Sequence, residues 1–201
     1  AGVSFISAII SAPIARYLGH KITVALGTFI AAAGYFYFYF IAAVDVSYGI
    51  FVIPMCIASF GIGLIMAPGT NSIMGSLPVG QSGVGSALNN TSRQIGGALG
   101  VAVLGTIVNS TYIANINAVN WPAQLPTQAL DVIRDSIQGA HVVAQQVSSP
   151  QLSQLIIQKT DEAFTVGSQS SLLIAAIVML ATAVLTLFIL PSKIRPPIEE
   201  K

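Results

Sequence analysis

Apolar residues run along this chain in five blocks, with the polar residues gathered between them. The blocks cover residues 1 to about 15, 22–43, 48–74, 84–108 and 166–190. A helix rising 1.5 Å per residue needs about 20 residues to cross a hydrocarbon core about 30 Å thick. The last four blocks reach that length, and the first reads as a truncated crossing. The second contains "YFYFYF", whose alternation on its own suggests a strand. A lone strand leaves its backbone unbonded in lipid, and no series of alternating segments of about ten residues is present to close a barrel. The pattern therefore predicts helices throughout.

The polar stretch between the fourth and fifth blocks has a period of its own. Leu130, Ile133, Ile137, Ala140, Ala144 and Val147 recur at spacings of three and four, while Asp131, Arg134, Asp135 and Gln138 fall mostly off that stripe. This is the signature of an amphipathic helix. Pro150 ends it, and a second helical pattern follows with Leu152, Leu155, Ile156 and Lys159. The segment from about 128 to 160 is thus expected as two short helices, either covering the mouth of a bundle or forming a lid over a ligand.

Composition narrows the class. The chain is 54% hydrophobic and only 7% charged, against about 25% charged in a soluble domain. Its mean hydropathy is +0.78. So little charge does not keep a surface in water, so the expectation is an all-α integral membrane protein. The net charge of +1 gives no reason to expect a nucleic-acid partner. The single cysteine, Cys56, excludes a disulfide within the chain, and no ligand cluster for a metal is present. No nucleophile–base pair suggests an enzyme. The chain opens without a methionine or a basic leader, so it reads as the C-terminal part of a longer polypeptide.

The basic residues orient the crossings. Arg16, His20 and Lys21 follow the first block, and Lys193, Arg195 and Lys201 follow the fifth. An even number of crossings separates the two clusters, so they share a side, and basic clusters beside helix ends mark that side as the cytoplasm. Asp45 and the segment 109–165 then face outward. Within "SAPIARYLGHK", the set Pro13, Arg16, Gly19, His20 and Lys21 is either a positive-inside anchor or a tight loop whose charges lock one conformational state.

Two further stretches carry candidate chemistry. "FGIGLIMAPGTNSIMGSLP" places Gly61, Gly63, Pro68 and Gly69 in one block, with Asn71 just beyond them. Such residues permit close helix packing or an interrupted, flexible helix beside a pathway. "GSALNNTSRQIGGALGVAVLG" sets Arg93 among small residues. The wholly apolar block 95–108 has about 14 residues, too few to span, so the crossing must recruit Asn89, Asn90, Arg93 and Gln94. An arginine costs about 2.5–3.5 kcal/mol at a helix centre and less near an end. Asn89 and Arg93 share a helical face, which Gly96, Gly97 and Gly100 continue with Gly96 and Gly100 in GxxxG spacing. That face suits protein or water better than lipid. Arg93 is either a fold anchor held by a carbonyl or lipid phosphate, or part of a solute pathway.

These two stretches, with "RDSIQGA" and "DEAF" leading into a last helix, resemble the C-terminal part of the fourteen-helix drug:proton antiporters, the EmrB/QacA-like branch of the major facilitator superfamily. The match from 83 to 105 is the specific part. "PIARYLGHK" resembles the family's loop motif only loosely and lacks its acidic residue. The resemblance implies an incomplete C-terminal helical bundle of such a transporter, with helices ten to fourteen and a cytoplasmic tail 191–201. It implies a multi-pass protein of the cell (plasma or inner) membrane that exports small amphipathic compounds. No cofactor is expected beyond a proton gradient. The implied partners are membrane lipid, the N-terminal half of the same polypeptide and the substrate. One departure stands out: no Asp or Glu lies inside any predicted crossing, so the residues that would couple protons are not found in this stretch.

The charge pattern fixes a labelling result. A cysteine at Ser148, in a background lacking Cys56, should react with an impermeant maleimide in intact cells, and one at Ser192 should not. Labelling at Ser192 alone would reverse the orientation.

Overall fold

A computed structural model of the chain describes residues 2–44, 47–75, 78–123 and 125–190. Seven helices follow in order: α1 (Gly2–Leu18), α2 (His20–Ile41), α3 (Tyr48–Met74), α4 (Ser82–Asn117), α5 (Thr127–Asp135), α6 (Ile137–Gln146) and α7 (Pro150–Ile189). A single 3-10 turn, Val79–Gln81, precedes α4, and no strand occurs among the described residues. The four helices α2, α3, α4 and α7 are long and apolar enough to cross a membrane. Asp45 and the tail 191–201 lie outside the described residues.

The junction of α1 and α2 is tighter than a loop. Gly19 alone separates the two helices, at φ 82°, a left-handed conformation that a side chain would strain. Thr23 Oγ1 donates to the Gly19 carbonyl at 2.8 Å, which ties the turn to α2. His20 and Lys21, expected between the helices, are instead in the first turn of α2, and Arg16 is in the last turn of α1.

In the packing, α3 lies against α1 and α2, α2 against α7, and α7 against α4, with a smaller contact between α3 and α4. Small residues set the distance between α2 and α3. A Cβ built on Gly34 would come within 2.5 Å of the Ala58 nitrogen, and one on Gly61 would strike the backbone of Ala31 and Gly27. Ala31, Ala58 and Leu64 are buried in this seam. In lipid, van der Waals contact between close backbones replaces the hydrophobic drive that water would supply. Ser7, Ser11, Thr23 and Thr28 are also buried, and each hydroxyl donates to a carbonyl of its own helix or of the turn before it. None of these hydroxyls is left unbonded in an apolar setting.

At the far end of the bundle, Gln169 of α7 donates to the Ala42 carbonyl just past α2. Gly167 of α7 sits against Val108 of α4 at the same level. The α1–α2 turn and the junction of α3 with α4 therefore share the opposite end.

Both α4 and α7 outrun the membrane. They have 36 and 40 residues, about 54 and 60 Å at 1.5 Å per residue, against a core of about 30 Å. The sequence pattern ends the fourth crossing at 108 and starts the fifth at 166, whereas the structure continues α4 to Asn117 and begins α7 at Pro150. The polar residues of these extensions end the apolar runs without ending the helices. Pro150 opens α7 at its first turn, where its missing N–H costs nothing, and the Ser149 hydroxyl accepts from the Leu152 N–H.

The projecting ends of α4 and α7 hold α5 and α6 in a small cap with its own core. Tyr112, Ile116, Ile133, Ala140, Ala144 and Ile156 are its most buried members. The predicted apolar stripe is buried as expected, with Leu130, Ile137 and Val147 packed against this core. It belongs to two helices rather than one. Ser136 is extended, at φ −161°, and its hydroxyl caps α6 by accepting from the Gly139 N–H at 3.1 Å. A serine side chain that bonds the next turn competes with the helix it interrupts. Tyr112 Oη donates to the Ile133 carbonyl at 2.7 Å, tying α5 to α4.

The seam between α2 and α3 generates a paired test. Gly61→Leu should separate these helices and lower the thermal midpoint of the purified full-length protein in detergent, by an overpacking cost of about 1–3 kcal/mol or more. Gly49→Leu, at a position with no neighbour within 4 Å of an added Cβ, should leave the midpoint unchanged. Equal midpoints for the two variants would contradict the close approach.

Candidate substrate pathway

The candidate pathway residues fall on two helix segments at one end of the bundle. Thr70, Asn71 and Ser72 lie near the end of α3, and Asn89, Asn90, Arg93 and Gln94 lie in the first third of α4. Asn89 Nδ2 approaches Thr70 Oγ1 at 3.4 Å, the side-chain hydrogen bond that joins these two helices. Asn71 is exposed, and its carbonyl accepts from the Gly75 N–H at 2.9 Å to close the end of α3. Ser72 Oγ donates to the Pro68 carbonyl at 2.8 Å. Pro68 is itself buried within α3.

At 100° per residue, Asn89, Arg93, Gly96 and Gly100 fall within a narrow stripe of α4. The structure leaves part of that stripe exposed. Asn90, Arg93, Gln94, Gly96 and Gly97 are exposed, and Asn89 and Gly100 are half-buried. A Cβ added at Gly69, Gly96, Gly97 or Gly100 would meet nothing within 4 Å, whereas one at Gly61 or Gly63 would collide with a neighbouring helix. The glycines of α3 therefore divide. Gly61 packs on α2 and Gly63 on Ser4 and Ser7 of α1, while Gly69, like the α4 glycines, faces open space.

Arg93 is a cation without a counter-ion among the described residues, since the ion pairs there all lie in the cap. The described acids, Asp131, Asp135, Asp161 and Glu162, are likewise confined to residues 131–162. A fixed positive charge beside two asparagines and a glutamine offers donors for an anionic or carbonyl-bearing group. The glycine stripe next to them admits bulk from outside the chain.

The set Pro13, Arg16, Gly19, His20 and Lys21 is brought to this same end, around the α1–α2 turn. Pro13 and Arg16 are exposed on α1, and Gly19, His20 and Lys21 are half-buried. No hydrogen bond or ion pair joins this turn to the Asn89–Arg93 stripe among the described residues. Two partners were not visible in the sequence. Thr70 reads there as one of several polar residues after a Pro-Gly pair, and only the fold brings it to Asn89. The His141–Asp161 contact, at 2.9 Å, joins residues 20 positions apart on different helices.

A second feature lies in the apolar part of the bundle. Phe29, Ala32, Ala33, Phe36, Tyr37 and Phe40 of α2, with Leu180 of α7, line a groove of about 450 Å³. It offers aromatic and aliphatic contact to hydrocarbon.

No protein-family model matches the chain. Among curated proteins, it is 33% identical over 132 residues to the multidrug efflux pump LfrA of Mycolicibacterium smegmatis, covering 63% of this chain and 25% of that one. It is 31% identical over 134 residues to a triacylglyceride transporter of Mycobacteroides abscessus, covering 61% and 26% respectively. It is 30% identical over 95 residues to the cephamycin export protein CmcT of Amycolatopsis lactamdurans, covering 47% and 20%. The chain thus spans about a quarter or less of the length of these relatives. Together with four helices long and apolar enough to cross a membrane, they support a transporter family for this multi-pass chain.

Proposed function

We propose that this chain is the C-terminal part of a proton-coupled exporter of amphipathic compounds, of the EmrB/QacA-like branch of the major facilitator superfamily. The observation that carries this reading is the partly exposed stripe of Asn89, Arg93, Gly96 and Gly100 on α4, whose glycines have room for added bulk. A cation and small polar residues on a crossing helix are costly against lipid and useful against a second bundle or a water-filled cavity. The N-terminal half of the polypeptide is the partner that would face this stripe, and substrate would pass between the halves as they rock between inward-open and outward-open states. Asn89, Asn90, Arg93 and Gln94 would form polar wall in the inner half, and the bond from Asn89 to Thr70 would hold α4 to α3 there. Proton coupling would draw on acids elsewhere in the polypeptide. The protein would reside in the cell membrane with its C-terminus in the cytoplasm.

A second reading has its own support. A relative is named a triacylglyceride transporter, and the groove between α2 and α7 is lined by apolar residues. On this reading the cargo is lipid-like. Uptake by everted vesicles containing the full-length protein, with and without a proton gradient, separates the two. A gradient-dependent uptake of a cationic dye supports the first, and transfer of a labelled acylglycerol with no dye uptake supports the second.

Arg93 supplies the residue-level test. Arg93→Lys keeps the charge but loses the planar fork that pairs with carboxylates and carbonyls, so efflux should fall while membrane abundance stays near normal. Arg93→Ala should fall further, by about tenfold or more, because a pathway partner loses its donor. Full efflux by Arg93→Ala in cells matched for abundance would make Arg93 an anchor only.

A further inference from the structure

We propose that the contact between His141 and Asp161 is a proton-sensitive latch that fastens α6 onto α7 and tightens the cap as its surrounding pH falls. His141 Nε2 lies 2.9 Å from Asp161 Oδ1, with the two side chains 43% and 27% exposed. Water and protons therefore reach the pair, yet it is sheltered enough for its charge state to matter. Beside it the cap is closed by apolar contact through Ala140, Val143 and Ala144 of α6.

Histidine is the side chain whose ordinary titration falls between pH 5 and 8. With a neutral imidazole the contact is a single hydrogen bond to a carboxylate. With an imidazolium it becomes a charge-assisted ion pair, which is shorter and stronger. Closure of α6 on α7 is thus favoured by the proton.

The other charged and titratable groups near the pair sit on α7, α5 and α4. On α7, Lys159 Nζ pairs with Glu162 Oε2 at 2.8 Å. On α5, Arg134 lies 3.6 Å from Asp131, and Asp135 ends the helix. On α4, Tyr112 donates its hydroxyl to the Ile133 carbonyl. His141 is the only histidine in the cap.

That the cap faces outward rests on the topology proposed above, whereas the latch does not. The test is hydrogen exchange on the purified full-length protein in detergent, where both faces meet one pH. Protection factors, which divide out the intrinsic exchange rate, are compared at pH 7.5 and 5.5 for α6 and for α2 as the reference. Wild-type α6 should gain protection about two- to fivefold at the lower pH, the range of a partly exposed ion pair, with α2 unchanged. His141→Gln and Asp161→Asn each retain a hydrogen-bonding side chain but not the ion pair, and both should abolish the gain. No gain in the wild type, or the same gain in both variants, overturns the latch. In sealed liposomes of known orientation, a gain that follows the pH on the cytoplasmic side would instead overturn the topology and leave the latch standing.

Discussion

Hydrocarbon accepts no hydrogen bonds, so each peptide group in the crossings must find its partner within the chain. That constraint makes the bundle helical and dictates how the helices meet. Lipid is as apolar as leucine and does not drive helices together. Cohesion between α2 and α3 comes instead from glycine and alanine, whose small size brings backbone against backbone. The large side chains, Phe29 and Phe40 among them, turn outward. The interior of this bundle is built of small residues and its exterior of large ones.

α4 departs from that plan. Its Gly96, Gly97 and Gly100 have the small size of a packing face, yet among the described residues nothing lies within 4 Å of a Cβ added to any of them. Its outer end does pack, through Val108 against Gly167 and through Tyr112 and Ile116 in the cap. One helix is thus packed along its C-terminal part and largely exposed along its N-terminal part. A conformational change that moved α4 away from α3 would break the side-chain bond from Asn89 to Thr70.

Much of this was legible in the sequence because the physics of spanning is one-dimensional. A count of apolar residues against the thickness of the core locates crossings, and the short block after Arg93 already required Asn89 and its neighbours to enter the helix. The stripe from Leu130 to Val147 likewise announced a buried face. Helix ends were less legible. Residues 109–117 and 150–165 are polar enough to read as loop, yet their apolar members at helical spacing, such as Tyr112, Ile116, Ile156 and Ala163, are buried in the cap. Ser136 was hidden because periodicity is nearly continuous across it, and only the capping bond to Gly139 reveals the break. Pairings between helices, such as Gln169 with Ala42, depend on which helices become neighbours. No local pattern contains that information.

The unbroken course of α7 from Pro150 to Ile189 gives the protein a mechanical lever. A rod about 60 Å long that pivots near its middle by about 10° carries each tip roughly 5 Å in opposite directions. Because α7 bears the cap at one tip and passes α2 and α4 on the way to the other, a displacement of one tip would be carried to the other along a single helix. Continuity of one helix, rather than a relay of side chains, would then link the cap to the opposite end of the bundle.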